Sequence, residues 1–380
     1  MTQQPTVPYG RQQIATEDIE AVCATLRSNW LTTGPMVERF EQALARKVGV
    51  EHGVAVCNGT AALHAAMHAL GIGPGDEVIV PPMTFAATAN AVLYQGGTPV
   101  FADVEADTLL IDPAAVEARI TSRTKAVVAV DYAGQSCDYD ALRAITDRHG
   151  LFLVADACHS LGGSYHGAPC GSQADLSVFS FHPVKPITTG EGGMIVTRDG
   201  ELARRMRIFR NHGITSDHRQ RSLAGAWHYE MVELGYNYRL SDIHCALGLS
   251  QLNRLDGFIE RRQTIAAGYD AAFAEHPSIR PLAVRPGNSH GYHLYVVRTP
   301  HRDTFFAGLR DRGIHANVHY VPVHLHPYYR QHLGTGEGLC PVAEAAWGEI
   351  LSLPIFSALS DAEQGRVVTA LKEVVAEVAS

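Results

Sequence analysis

The sequence predicts an α/β protein: a large layered domain with a mostly parallel sheet, followed by a smaller α+β domain. Three observations carry this. From about residue 53 to 200, short apolar β-rich runs alternate with helical patterns, as in a sheet covered by helices. Those runs end in polar or glycine-containing turns, where such sheets collect ligands. Beyond residue 200 long helical periodicity takes over, and the last third mixes strands with helices.

The elements follow in order. VAVC (54–57) reads as a strand and TAALHAAMHAL as a helix; DEVIVPP begins a second strand and TFAATANAVLYQ a second helix. TPVFADV, KAVVAVDYA, LFLVADA and LSVFSFH are further β-rich runs, with ALRAITDRHG as an intervening helix. GGMIVT adds a strand, and ELARRMRIFRNHG a helix that Gly213 should end. The stretch SDIHCALGLSQLNRLDGFIERRQTIAAGYDAAFAEH is helical and leads out of the first domain. The boundary is placed near residue 265, giving a large domain over 1–265 and a small one over 266–380. The small domain holds YHLYVVRT as a strand and RDTFFAGLRDRG and DAEQGRVVTALKEVVAEV as helices.

Composition narrows the function classes. A net charge of -8 leaves no electrostatic case for nucleic acid or an anionic membrane surface. Seven scattered cysteines without a CxxC argue against a disulfide framework or zinc ribbon. The opening MTQQPTVPYGRQQIATED lacks the apolar core of a signal peptide, and no apolar run approaches a membrane span. The expectation is a reduced, cytoplasmic, soluble protein.

The motifs sit at expected strand ends. CNGTAAL (57–63) is strand, tight turn, helix; Gly59 permits close approach, and the amides around Gly59, Thr60 and Ala61 can receive a phosphate. An ordinary βα turn would look the same. Asp156, just past the apolar run of LFLVADACHS, can accept from a buried cationic ring nitrogen, with His159 three residues on; a lone Asp there also serves as a cap. In LSVFSFHPVKP, Ser180 and Lys185 follow another strand. Pro183 fixes its own φ and Pro186 disfavours the helical region for Lys185, presenting the lysine on an extended, restrained loop. A lysine in an apolar pocket or beside another cation becomes a usable nucleophile. Phe85, in PPMTFAATAN, can stack on a ring or simply fill core. Together these parts fit pyridoxal 5′-phosphate (PLP), which needs a lysine, a carboxylate for its ring nitrogen and an anion cradle.

The chain resembles the fold-type I nucleotide-sugar aminotransferases of the DegT family over essentially its whole length. The matching stretches include NWLTTGPMVERFE, CNGTAALHAAMHALGIGPGDEVIVPPMTFAATANAVLYQGGTPVFADV, ADACHSLGG, FSFHPVKPITTGEGG and LGYNYRLSDIHCALGLSQL. YAGQSCDYDAL, LSQLNRLDGFIERR and ANVHYVPVHLHPYYR bring it closer to the branch that acts in pseudaminic acid biosynthesis. The resemblance implies the PLP-dependent transferase fold type I, with Lys185 as Schiff-base lysine and proton shuttle. It implies that Asp156 partners the ring nitrogen and that His159 lies near the phenolic oxygen. It assigns Gly59, Thr60 and Ser180 to the phosphate, with Asn237 reaching in from the other subunit of a homodimer. Tyr9, Asn29, Trp30, Leu31, Thr32, Asn317, Val318, His319 and Tyr320 match positions that hold the nucleotide sugar. The implied reaction moves an amino group from L-glutamate, leaving 2-oxoglutarate, to a UDP-linked 4-ketosugar. A branch with His in place of the lysine performs dehydration; the lysine here favours transamination. Cys57 and Asn58 stand where serines are frequent, and His159 where Gln is common.

No metal is expected. His315, His319, His324 and His326 crowd one segment, and an extended chain would put His324 and His326 on one face, but no carboxylate or cysteine joins them at ligand spacing. Cys158 beside His159 makes a poor thiol–imidazole pair, because neighbours on a strand face opposite ways.

Overall fold

A computed structural model describes residues 5–379. The outer ends of the two expected domains, residues 1–4 and 380, lie outside the described residues. In chain order the strands are β1 (His52–Val56), β2 (Glu77–Val80), β3 (Thr98–Phe101), β4 (Thr124–Val130) and β5 (Phe152–Asp156). A short hairpin, β6 (Ser164–Tyr165) and β7 (Ala168–Pro169), precedes β8 (Leu176–Ser180) and β9 (Gly193–Thr197). Seven of them form one sheet in the order β1-β9-β8-β5-β4-β2-β3. Its strands from β3 to β8 pair in parallel, while β9 runs against both β1 and β8. The runs EVIV and GMIVT are buried throughout, as strands covered on both faces by helices must be. The carboxyl ends of β1, β5 and β8 therefore open at one edge of the sheet.

Three further stretches of strand, β10 (Arg280–Pro281), β11 (Asn288–Ser289) and β12 (Tyr295–Arg298), precede β13 (Ile350–Leu353). A small sheet, β10-β12-β13, packs with helices Arg302–Asp311 and Asp361–Ala379. Two apolar clusters result. Val54, Ile79, Val127 and Ile195 belong to the first; Val297, Phe305, Leu371 and the N-terminal Val7 belong to the second. Helix Leu255–Phe273 joins them, with Phe258 and Ile259 in the first and Ile265, Tyr269 and Phe273 in the second.

Two elements differ from the expected ones. The helix expected to run to Gly213 stops at Phe209. Gly213 lies beyond the helix end at φ +73, its amide donating to the Ile208 carbonyl at 3.0 Å, and a Cβ there would stand 1.7 Å from the Glu233 carbonyl oxygen. The long helical stretch after residue 240 is two helices, Asp242–Leu252 and Leu255–Phe273. At the break Arg254 turns to the buried Asp18, which also accepts from Ser250 Oγ at 2.7 Å and Gln251 Nε2 at 2.6 Å.

Candidate active site

β1 delivers the chain to Asn58, whose Oδ1 accepts from the Ala61 amide at 2.8 Å and caps helix Gly59–Ala69. The Ala62 amide pairs with the Asn58 carbonyl at 3.1 Å. The first amides, at Gly59 and Thr60, open the helix toward the sheet edge, where a helix N-terminus favours an anion. Ser180 closes the cradle at the end of β8. A Cβ on Gly59 would stand 3.0 Å from Ser180 Cβ and 3.3 Å from its Oγ. From below, β9 begins at Gly193, where a Cβ would meet the Asn58 oxygen at 2.5 Å. Glycine at 193 allows the strand to meet the turn backbone to backbone, and glycine at 59 leaves room for the Ser180 side chain.

Asp156 ends β5 and is 6% exposed. The Thr88 hydroxyl donates to its Oδ2 at 2.8 Å, and Thr84 and Thr88 share a hydrogen bond of 2.8 Å. Oδ1 takes a longer contact, 3.3 Å, from the Cys158 amide. One β-strand over, the Asp131 amide donates to the Asp156 carbonyl at 3.1 Å. Asp131 itself is wholly buried; Ser160 Oγ donates to it at 2.6 Å and Tyr139 OH at 2.8 Å. Burial pushes the Asp131 carboxyl up to about 6, against these hydrogen bonds.

Lys185 is reached through a turn closed by its amide donating to the His182 carbonyl at 2.9 Å. The loop is therefore a hydrogen-bonded turn rather than extended, because Pro183 has the fixed φ that such a turn needs after its first residue. Lys185 Nζ lies 3.3 Å from His293 Nε2. Burial lowers the lysine pKa; Cys158 and Asp156 pull it up, and the Arg262 cation pushes it further down. The His293 and His159 ring centres are 4.4 Å apart, and His159 Nε2 is 3.2 Å from Tyr320 OH. Burial, then Lys185, holds both imidazoles well below their ordinary pKa. The Nδ1 atoms of His159 and His293 are buried without a hydrogen-bond partner.

The segment 317–320 and the N-terminal Tyr9 supply the far wall. His319 packs 5.3 Å from the Tyr9 ring and shares a 2.9 Å hydrogen bond with Ser352. Burial, then Lys185, lowers its pKa to about 4. Asn317 Nδ2 lies 3.4 Å from His319 Nε2, and its Oδ1 accepts from the Val318 amide at 2.8 Å. Phe85 is 62% exposed, 6.1 Å from the Tyr320 ring. The arm carrying Tyr9 is fixed by Val7 pairing with Ile314 and by Ile355 donating to the Tyr9 carbonyl at 3.1 Å.

Gly59 and Ser180 thus meet directly, and Asp156, His159, Lys185, His319, Tyr320 and Tyr9 form one chain of contacts and charges. Other expected site residues lie elsewhere. Asn29, Leu31 and Thr32 are exposed and Trp30 half-buried. Their segment rests on Ser241 and Asp242, with Thr32 bridged to Ser241 and the Asp242 amide donating to Leu31 O at 3.0 Å. Asn237 is exposed and bridged to Asn211, next to Tyr238, whose carbonyl accepts from the Cys57 amide at 2.8 Å. His324 and His326 do not share an extended face: residues 323–325 form a 3-10 turn, and the buried His324 pairs with Glu344 at 2.9 Å. No group of three or more metal-ligating side chains occurs among the described residues. A cavity of about 760 Å³ lies apart from the lysine, and its arginines have partners: Arg207 and Arg210 face Glu41, Arg219 faces Glu38, Arg204 faces Glu201, and Arg239 Nη1 donates to Asn211 Oδ1 at 2.9 Å. Sequence reading missed His293, Arg262 and Thr88. Arg262 is buried, donating to the carbonyls of Tyr292 at 2.9 Å and Ile355 at 3.1 Å. None stands in a pattern of its own; Thr88 alone had a cue, as a hydroxyl in the helix after β2.

These residues fit PLP. The cradle at 59 and 180 is one a Cβ would fill, and Asp156 has a carboxylate oxygen with only a long contact. A lysine amine, an orphaned imidazole nitrogen on His159 and an exposed aromatic face on Phe85 border the same edge.

Comparison with known proteins gives the same direction. The model of the DegT/DnrJ/EryC1/StrS aminotransferase family matches residues 12–372. The spore coat polysaccharide biosynthesis protein SpsC of Bacillus subtilis (strain 168) is 43% identical over 377 residues, 97% of each chain. Among solved structures, Spr1654 of Streptococcus pneumoniae superimposes in its PMP form with a TM-score of 0.93 at 34% identity, covering 98% of this chain and 100% of that one. Its PLP form gives 0.92 at 34%, covering 98% and 99%. Helicobacter pylori PseC, an aminotransferase involved in the biosynthesis of pseudoaminic acid, gives 0.91 at 34%, covering 98% and 100%.

Proposed function

The chain belongs to the DegT/DnrJ/EryC1/StrS aminotransferase family, whose members are PLP-dependent sugar aminotransferases of fold type I, and from that premise we propose its reaction. The protein moves an amino group from L-glutamate to C4 of a UDP-linked 4-keto-6-deoxy-N-acetylhexosamine. The product is the 4-amino sugar nucleotide used for pseudaminic acid. The observation that carries the reading is the meeting of the Gly59–Ser180 cradle, Asp156 and Lys185 at one sheet edge.

When bound, PLP supplies an aldehyde and an electron-accepting ring. The chain's own residues do the rest. The Gly59 and Thr60 amides and the Ser180 hydroxyl hold the phosphate. Asp156, fixed by Thr88, keeps the proton on the ring nitrogen. His159, with its unpartnered Nδ1, would meet the phenolic oxygen, and the exposed Phe85 would cover the ring face. Lys185 Nζ takes and returns the proton at the reacting carbon; its lowered pKa suits a base. The wall of Tyr9, His319 and Tyr320 excludes water and grips the sugar, and Asn29 to Thr32 hold the nucleotide from the rim.

The same reading makes the protein a cytoplasmic homodimer with Asn237 completing the partner's phosphate site. Its support is an exposed apolar strip, Leu223, Trp227, Met231, Val232 and Leu234, on the segment leading to Asn237. All seven cysteines are free, as a reducing compartment requires. No helix among the described residues is long and apolar enough to cross a membrane. The division near residue 265 belongs to the proposal too, supported by the helix that changes core there.

The identity to SpsC, higher than to PseC, favours a second reading: a sister 3- or 4-aminotransferase acting on another UDP-, dTDP- or GDP-ketosugar. Purified protein with L-glutamate and a panel of nucleotide 3- and 4-ketosugars separates the two. The first reading expects amination at C4 of the UDP sugar; preference for another nucleotide, or amination at C3, selects the second. Borohydride reduction of the yellow protein should place a pyridoxyl adduct on Lys185, and an adduct elsewhere would sink the site assignment.

A further inference from the structure

Resting on the assignment of Lys185 above, we propose that His293 is a further catalytic residue: its Nε2–H donates to the neutral Lys185 amine and keeps that amine ready to react.

The geometry starts from two atoms. His293 Nε2 faces Lys185 Nζ at 3.3 Å, and His293 Nδ1 is buried with no hydrogen-bond partner. A neutral imidazole carries one N–H and one lone pair. If Nδ1 held the proton, a buried donor would be orphaned, which structures rarely tolerate; an orphaned acceptor is tolerated more often. The proton therefore belongs on Nε2, pointing at the lysine. An ammonium has three N–H donors and no lone pair to receive it. Only the free amine accepts this bond, so the bond favours the free amine.

The surroundings fit this state. Around the pair stand Asp156 and Cys158 from the end of β5, His159, Arg262 from helix Leu255–Phe273, and His319 from the small domain. Asp156 favours an ammonium, and Arg262 opposes one. His159 and His319 are themselves held neutral by burial. Arg262 also braces the backbone that carries the imidazole, because its Nη1 donates to the carbonyls of Tyr292 at 2.9 Å and His293 at 3.4 Å. The histidine thus has a braced backbone and a set tautomer. Its bond matters whenever the amine is free of the cofactor.

Recombination of PLP with apoprotein tests this without turnover. The amine lone pair adds to the aldehyde and water leaves, so the rate of yellow colour formation follows the neutral fraction of Lys185. His293→Leu should raise the pH midpoint of that rate by about one unit, the equivalent of one net hydrogen bond. His293→Gln, whose amide still donates, should stay near the wild type. Equal midpoints in wild type and His293→Leu, or equal shifts in both variants, would overturn the proposal. Should His293→Leu fail to fold, the wild-type apoprotein decides. Histidine side-chain ¹⁵N shifts, with the resonance identified by its loss in His293→Gln, should show the Nε2–H tautomer; Nδ1–H would overturn it. Wild-type protein that forms no adduct on Lys185 at any pH would overturn the lysine assignment itself, and this proposal with it.

Discussion

Asp156 carries the electronic burden of the proposed chemistry, and its surroundings show how. A hydroxyl from Thr88 fixes one oxygen at 2.8 Å, while the other has only the 3.3 Å contact from Cys158. That leaves it free to receive a ring N–H. Asp156→Asn changes little in shape, so the thermal midpoint should move little. Its amide cannot hold the ring nitrogen protonated, and kcat should fall by two or more orders of magnitude, about 3 kcal/mol in the barrier. Near wild-type turnover would make the residue a cap for the turn at Cys158 instead. Lys185→Ala should abolish turnover outright while the variant still takes up PLP through the cradle, measured by equilibrium dialysis. Loss of uptake would place the phosphate site elsewhere.

Helix Gly59–Ala69 links the cradle to the segment that carries Asn237, and His64 is the fastener. Its Nδ1 lies 3.1 Å from Tyr238 OH and its Nε2 2.7 Å from Gln95 Nε2. Since the Gln95 amide can only donate, His64 accepts at Nε2 and donates at Nδ1 to the tyrosine. Burial, then the neighbouring His68, lowers the His64 pKa from 6.5 to about 4. The unfolded chain takes up a proton that the folded one refuses. Its contribution is therefore complete above about pH 6.5 and is lost as the pH falls through 4, by about 3 kcal/mol. Denaturant titrations at pH 7.5 and pH 4 should show this loss reduced by that amount in His64→Gln. An unchanged difference between the two pH values would mean His64 titrates normally.

At the scale of the whole molecule, the single chain leaves Asn237 exposed beside a long apolar strip. A homodimer would cover the strip and give the asparagine a phosphate to meet. Lys185→Ala and Asn237→Ala should each be weak or dead alone. After subunit exchange, a heterodimer would hold one site with both lesions and one with neither, and should regain up to about half the activity of a wild-type dimer. No recovery after proven exchange would show that Asn237 serves its own chain.

The sequence by itself determined the alternation of strands and helices, the strand-end positions of Gly59, Asp156, Ser180 and Lys185, and the family. Each is written locally: apolar runs set the strands, and a parallel sheet brings their carboxyl ends to one edge whatever lies between. It also misplaced features that depend on distant partners. Gly213 lies past the end of its helix, where its close approach to Glu233 leaves no room for a Cβ. The helical stretch after residue 240 breaks where Arg254 reaches Asp18, over two hundred residues away in sequence. His293, Arg262 and Thr88 escaped notice for the same reason. A histidine within HGYHLYVV or an arginine within FIERRQT has no local signal of its role. Their part in the site comes from packing across elements, where burial lowers the pKa of Lys185 and of the imidazoles around it.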